Sequence, residues 1–374
     1  MSVSNTNNLV EKLSVMRGIS IIFVMLIHAT GPDISIRNGQ AGCSTIFLIL
    51  LNQLSRFCVP VFFFITGYLY TLKFSYKKLN YPVYITGRIK KIFIPYLLWT
   101  VIYLSFRIIT GSIDTGNLDF LKTAGILFTG KAYGHLYFIS AIFQFYLLLP
   151  VFILLAKLFI RIEHKWWVFL ALIILSTCLF QWKIAYLNQA YGGSFLTDDA
   201  FFIWWMPFIL FGILAGTGFN PAADRITIPL SAVAVAAVFI LMNYEYICAY
   251  NNISFYYSAK ITAESFDSMA SFLRPSAGIY AFLSIFLLTQ VLTKGSGKVS
   301  RVLTEAGKYS FAIYLAHPLI NKCLFKIIKL TGLDPYGKIW GVGIEIFIGS
   351  LLSYIIARQL LKIKGMTLLF GGVR

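Results

Sequence analysis

Charge is what this sequence has least of. Only 12% of its residues are Asp, Glu, Lys or Arg, about half of the roughly 25% usual in a soluble domain. A water-exposed globular surface is therefore excluded for most of the chain. Acidic residues are scarcest, 14 against 32 Lys and Arg, for a net charge of +18. Such a balance serves nucleic-acid binding when the cations gather in one soluble segment. Here they are divided among short stretches between apolar runs, the positive-inside pattern of a membrane protein, and no nucleic-acid partner is expected. Histidine is limited to four residues, and no histidine–carboxylate cluster has ligand spacing, so no metal centre is expected. The Gly-x-Ser-x-Gly elbow of a serine hydrolase is missing. The five cysteines (Cys43, Cys58, Cys178, Cys248, Cys323) have no paired spacing for zinc or redox chemistry. No secretory cleavage pattern follows the polar start MSVSNTNNLVEK, so the first apolar run is expected to remain as an anchor.

What remains is apolar: 58% of the residues are hydrophobic. The expected fold class is all-α, a polytopic membrane protein of about ten transmembrane helices. Their approximate bounds are 13–31, 45–71, 92–110, 135–157, 166–186, 199–217, 226–247, 268–293, 309–329 and 339–361. The second, with Asn52, Gln53, Arg56 and Pro60, is expected to face protein and to bend. Cations set the orientation. Lys73, Lys77, Lys78, Arg88, Lys90 and Lys91 share one loop, and Lys294, Lys298, Arg301 and Lys308 another, whereas the alternate loops are sparser in cations. Both termini are thus expected in the cytoplasm. Residues 1–12 and 364–374 then form cytoplasmic tails on a single membrane domain, 13–363. Two segments on the outside are long, 111–134 and 243–267. The second is rich in tyrosine and asparagine, which suits either a carbohydrate face or an interfacial aromatic belt.

The first span carries two residues that a plain anchor would not, Arg17 and His28. Eleven residues make about three helical turns, so both side chains leave one face, roughly 16 Å apart, with Ile21 and Val24 between them. An ionisable group at such depth is costly unless it meets protein or water, and is read first as functional. A histidine there serves as general base, nucleophile, metal ligand or hydrogen-bonded structural residue. An arginine at the cytoplasmic boundary suits a phosphate, or snorkels to lipid headgroups.

Further motifs lie in other spans. Arg88 and Lys91 share a face at i, i+3 if their helix starts early, and Pro95-Tyr96-x-x-Trp99 follows them. Arg56 precedes Val59-Pro60, and Phe63-Phe64-Ile65-Thr66-Gly67-Tyr68 permits a bend and a close helix approach. Gly134-His135-Leu136-Tyr137-Phe138 sits at an outer boundary, and Tyr309-Ser310 leads to Tyr314-x-x-His317-Pro318. Taken singly, His135 and His317 read more readily as packing residues than as reactive ones. Glu345, in the last span, is expected to pair with a cation from another span.

Together these motifs resemble the acyltransferase-3 family of integral membrane acyltransferases. The arginine, ten residues, histidine pattern is matched by Arg17 and His28. The family's Phe-Phe-x-Ile-Ser-Gly-Tyr-like stretch is similar to Phe63–Tyr68, with Thr66 where serine is common. The basic helix start with Pro-Tyr-x-x-Trp resembles Arg88–Trp99. His-Leu-Trp-Phe appears with Tyr137 replacing tryptophan, and Ser-x-x-Ile-Tyr-x-x-His-Pro is matched by Ser310–Pro318. The resemblance implies a stand-alone O-acyltransferase of the bacterial inner (plasma) membrane, without the SGNH domain that some members carry. It would transfer an acyl group, most often acetyl from cytoplasmic acetyl-CoA, to a hydroxyl of an envelope or exported carbohydrate. Acetyl-CoA is then a co-substrate, not a resident cofactor. His28 is the expected catalytic residue, with Arg17, Arg88 and Lys91 on the donor. Arg56, Tyr96, Trp99, His135, Tyr137, Ser310, Tyr314 and His317 are the expected support. The competing class is a flippase or exporter of a lipid-linked sugar or polysaccharide.

Overall fold

A computed structural model describes residues 3–37, 42–74, 79–113, 119–219, 225–250, 275–292 and 298–372. These residues are helical with short connections, and no strand occurs among them. Among the described residues eight helices are long and apolar enough to cross a membrane, or nine if one bent pair counts as a span. The chain is an all-α polytopic membrane protein. Its outer faces are apolar and exposed, as lipid contact demands; only 11% of the Thr227–Ile247 span is buried within the protein.

Two segments account for the difference from ten regular spans. Residues 268–274 lie outside the described residues, and the rest of that segment is the 17-residue helix Pro275–Val291. The expected span 135–157 is instead two helices, Tyr137–Leu147 and Leu149–Arg161, bent by 69°. Pro150 stands in the first turn after the bend. It has no N–H to donate and its ring crowds the preceding turn, which breaks the helix there.

The second span, Cys43–Phe74, runs as one span that is two-thirds buried in protein and has one tightened turn within it. Cys43–Leu54 and Cys58–Phe74 are joined by a tight turn, Ser55–Phe57, that carries Arg56. Glycine sets how close the inner helices come. A Cβ on Gly67 would lie 2.1 Å from the carbonyl oxygen of Ile209, and one on Gly212 would lie 2.0 Å from that of Phe64. The helices Cys58–Phe74 and Met206–Gly216 therefore touch backbone to backbone, as small residues allow inside a membrane. The first helix, Val3–Ile36, meets the amphipathic helix Lys298–Lys308 in the same way. A Cβ on Gly18 would lie 1.9 Å from the oxygen of Leu303, and one on Gly307 1.9 Å from that of Ser14. This contact holds the Arg17 end of the first helix beside Lys308.

Candidate active site

The face of the first helix that bears Arg17 and His28 is turned into protein: Ile21 and Val24 between them are fully buried. His28 itself is half-buried. It meets two other histidines there. The ring centroids of His28 and His317 are 5.3 Å apart, those of His28 and His135 6.1 Å, and those of His135 and His317 5.5 Å. Three of the four histidines thus form one cluster, drawn from the first helix, the turn before Tyr137 and the helix Ser310–Leu330. Read singly, His135 and His317 looked like packing residues; no sequence spacing joins residues so far apart along the chain. No group of His, Cys, Asp or Glu among the described residues has the geometry to hold a metal.

Proline orients His317. Pro318 lies inside the helix and lacks the N–H that the carbonyl of Tyr314, four residues back, would normally accept. His317 fills the gap: its Nδ1 is 3.0 Å from the Tyr314 oxygen and 3.1 Å from that of Ile313. Both partners only accept, so Nδ1 carries the proton and Nε2 is left with a bare lone pair. Tyr103 donates to the next carbonyl, that of Leu315, at 2.8 Å. His135 is walled by Tyr103, Tyr133 and Tyr314 at 5.1–5.7 Å between centroids, and its carbonyl accepts from the Tyr314 hydroxyl.

Arg56 approaches from the second span. Its Nη2 donates to Asn52 Oδ1 at 2.9 Å, and Asn52 Nδ2 donates to Thr30 Oγ1 and the Ile27 oxygen, on either side of His28. Arg56 is thereby tied to the backbone around His28 through one buried amide. Tyr137, half-buried, stacks on Trp205 at 6.0 Å.

A cavity of about 340 Å³ shares Tyr314 with the surroundings of this cluster, and none of the three histidines is in its lining. One part of its lining is basic: Arg17, Lys73, Arg88 and Lys308. The rest is mostly apolar and aromatic and includes Ser310 and Tyr314. Tyr314 is therefore the link, lining the cavity while its hydroxyl holds the His135 carbonyl. Arg88 lies over the rings of Tyr84 and Tyr146, at 5.0 and 5.2 Å. Lys308 has Glu305 as an ion-pair partner, and that hydrogen bond pushes its ammonium above the usual lysine range, so it is protonated at neutral pH.

Several residues fall elsewhere than expected. Lys91 is exposed and does not line the cavity. The wide helical turn Ile89–Phe93 precedes Pro95, and its extra residue rotates Lys91 away from the face it would share with Arg88 in a regular helix. Tyr96 and Trp99 brace the backbone: Tyr96 donates to the Leu127 carbonyl, and Trp99 Nε1 to that of Leu369 at 3.0 Å. Glu345 accepts from Asn321 at 2.7 Å rather than pairing with a cation. Lys73, Lys308 and Asn52 were missed as site residues. In the sequence the two lysines carry only the signal of cytoplasmic orientation charges.

The fold holds, among helices long enough to cross a membrane, a cavity with four basic residues in its lining and, joined to it through Tyr314, a cluster of three histidines that do not themselves line it. The family model described as an acyltransferase domain matches residues 10–358, and the chain belongs to this acyltransferase-3 family. A relative from Staphylococcus aureus (strain MSSA476), named probable poly-beta-1,6-N-acetyl-D-glucosamine export protein, is 24% identical over 378 residues, covering 94% of this chain and 97% of its own. The protein of that name from strain MRSA252 is 24% identical over 379 residues, with the same coverage. No solved structure matches the chain.

Proposed function

We propose that this acyltransferase is an O-acyltransferase of the bacterial plasma membrane, moving an acyl group from a cytoplasmic coenzyme A thioester, acetyl-CoA first among them, to a hydroxyl of an envelope or exported carbohydrate. The observation that carries it is the cavity, basic at one part and joined through Tyr314 to the histidine cluster. Guanidinium and ammonium groups grip phosphates, while apolar walls suit the pantetheine arm. The donor's phosphates rest on Arg17, Lys73, Arg88 and Lys308, and the arm carries the thioester inward toward His28. Only part of a coenzyme A molecule fits 340 Å³; the adenosine stays outside the cavity. The carbohydrate acceptor is supported by the name of the Staphylococcus relatives, a polymer of N-acetylglucosamine.

His28 then acts by one of two balanced routes. As general base it takes the hydroxyl proton, the sugar oxygen attacks the thioester carbon, the C–S bond breaks and the thiolate receives the proton. As nucleophile it forms an N–acyl bond as the thiolate leaves; the sugar oxygen then attacks the acyl carbon, the N–acyl bond breaks to restore the imidazole, and the hydroxyl proton goes to the thiolate. Both routes need a neutral imidazole.

The relatives' name favours a second reading, export of the polymer itself. Donor consumption separates the two. In sealed proteoliposomes with acceptor glycan present, thioester loss at a rate dependent on Arg88 and Lys308 supports acyl transfer. Polymer movement with the thioester untouched supports export.

A further inference from the structure

We propose that His317 is the positioning partner of His28: its Nε2 accepts the N–H of the His28 ring and leaves the other His28 nitrogen bare for the reaction. This rests on the reading of His28 as the reacting histidine. It adds a fixed tautomer to a residue whose two nitrogens are otherwise equivalent candidates.

Three observations carry it. His317 is fully buried, yet its Nε2 has no hydrogen-bond partner among the described residues. A bare lone pair in a dry interior is costly, and such an atom is kept where something visits it. The proton on Nδ1 is fixed by two carbonyls, one of them left vacant by Pro318, so in the neutral ring Nε2 is an acceptor. The His28 ring is the near neighbour. The rings are tilted by 45° with centroids 5.3 Å apart, a separation at which ring nitrogens turned toward each other would stand roughly 3 Å apart, the length of an N–H···N bond. The bond is open in this structure, and a turn of the half-buried His28 ring closes it. His135 is also buried, with both ring nitrogens lacking a partner among the described residues, but it lies farther from His28, at 6.1 Å, and no pair of carbonyls fixes its tautomer.

The chemistry follows from this pairing. When His28 takes the hydroxyl proton, or the acyl group, positive charge develops on its ring. The N–H turned to His317 then becomes a charge-assisted donor, and its bond strengthens where the transition state needs it. The proton taken from the sugar returns to the departing thiolate, so nothing accumulates on His317.

Two substitutions separate positioning from packing. His317→Gln places an amide oxygen near the Nε2 position and keeps the acceptor, but loses the donor to the carbonyls of Ile313 and Tyr314. His317→Asn places its amide near the Nδ1 position and keeps that donor, but has no acceptor facing His28. Wild type, both variants and His28→Ala would be reconstituted in nanodiscs, checked for equal thermal stability, and assayed for thioester loss with acceptor present. The expected result is a kcat for His317→Asn about 100-fold below wild type, and for His317→Gln at least about tenfold above that of Asn, with the donor KM within about twofold throughout. Equal loss in both, or a better Asn variant, overturns the proposal while leaving the function intact if wild type turns over and His28→Ala does not. No turnover by wild type removes the function, and the proposal with it.

Discussion

At the scale of single residues, the site divides into groups that react and groups that hold. His28→Ala is expected to lower transfer by at least about 1,000-fold while the protein still inserts and folds, because the ring packs only part of its surface against other groups; membrane yield and labelled product check both halves. Arg88→Ala removes one cation from the donor's phosphates and is expected to raise donor KM about tenfold with kcat little changed, the mark of lost uniform binding. Lys308 shares its charge with Glu305. Glu305→Gln removes that competitor, so donor KM should fall severalfold at low salt and the difference should vanish as salt screens the rim. The raised Lys308 ammonium stays protonated below and through its ordinary titration range. Its contribution to donor binding should therefore be flat across neutral pH and fade only under strongly alkaline conditions. Arg17 and His28 were legible in the sequence because one helix and one period relate them. The meeting of His28 with His135 and His317 was not, because no local period connects three separate elements.

At the scale of elements, proline and glycine do the shaping. Pro318 weakens its helix by about 3 kcal/mol relative to alanine, and in return frees the Tyr314 carbonyl that fixes His317. Pro318→Ala should thus raise thermal stability and lower activity, since the restored N–H competes with Nδ1 for that oxygen; a melting curve and a turnover assay on one preparation read both. Gly67→Ala acts in the opposite sense. Its Cβ would stand 2.1 Å from a backbone oxygen, so the two helices must part, at an overpacking cost of about 1–3 kcal/mol, read as a lower melting temperature in detergent. The Gly67 approach was legible from Thr66-Gly67-Tyr68. The break at Leu148 and the wide turn before Pro95 were not, although Pro150 and Pro95 stood in the sequence. A proline marks where a helix is disturbed, but whether it starts, kinks or widens a turn depends on what accepts the freed carbonyl. The Lys91 oxygen, freed by Pro95, is met by Gly371, where a Cβ would lie 2.3 Å away, and nothing local to Arg88–Trp99 announces a contact with the end of the chain.

At the scale of the whole molecule, the bilayer makes the fold readable and the site hard to read. Apolar length identifies spans because lipid leaves helices few alternatives, so the class and most spans follow from hydropathy alone. Which helices touch is decided by close glycine contacts and by buried amides such as Asn52, and a pattern of loops and charges does not contain these pairings. The orientation rests on the cation count and makes its own prediction: a lone cysteine at position 308, with the native cysteines replaced, should react with a membrane-impermeant maleimide from the cytoplasmic side only. With that orientation, the basic rim faces the cytoplasm and the acyl donor. The central claim, that His28 passes an acyl group from this donor to a carbohydrate, is tested most directly in inverted membrane vesicles given acetyl-CoA labelled in its acetyl group. The account predicts label in envelope glycan with wild type and background label with His28→Ala. Equal labelling by the two proteins, or no donor loss with the glycan present, would contradict it.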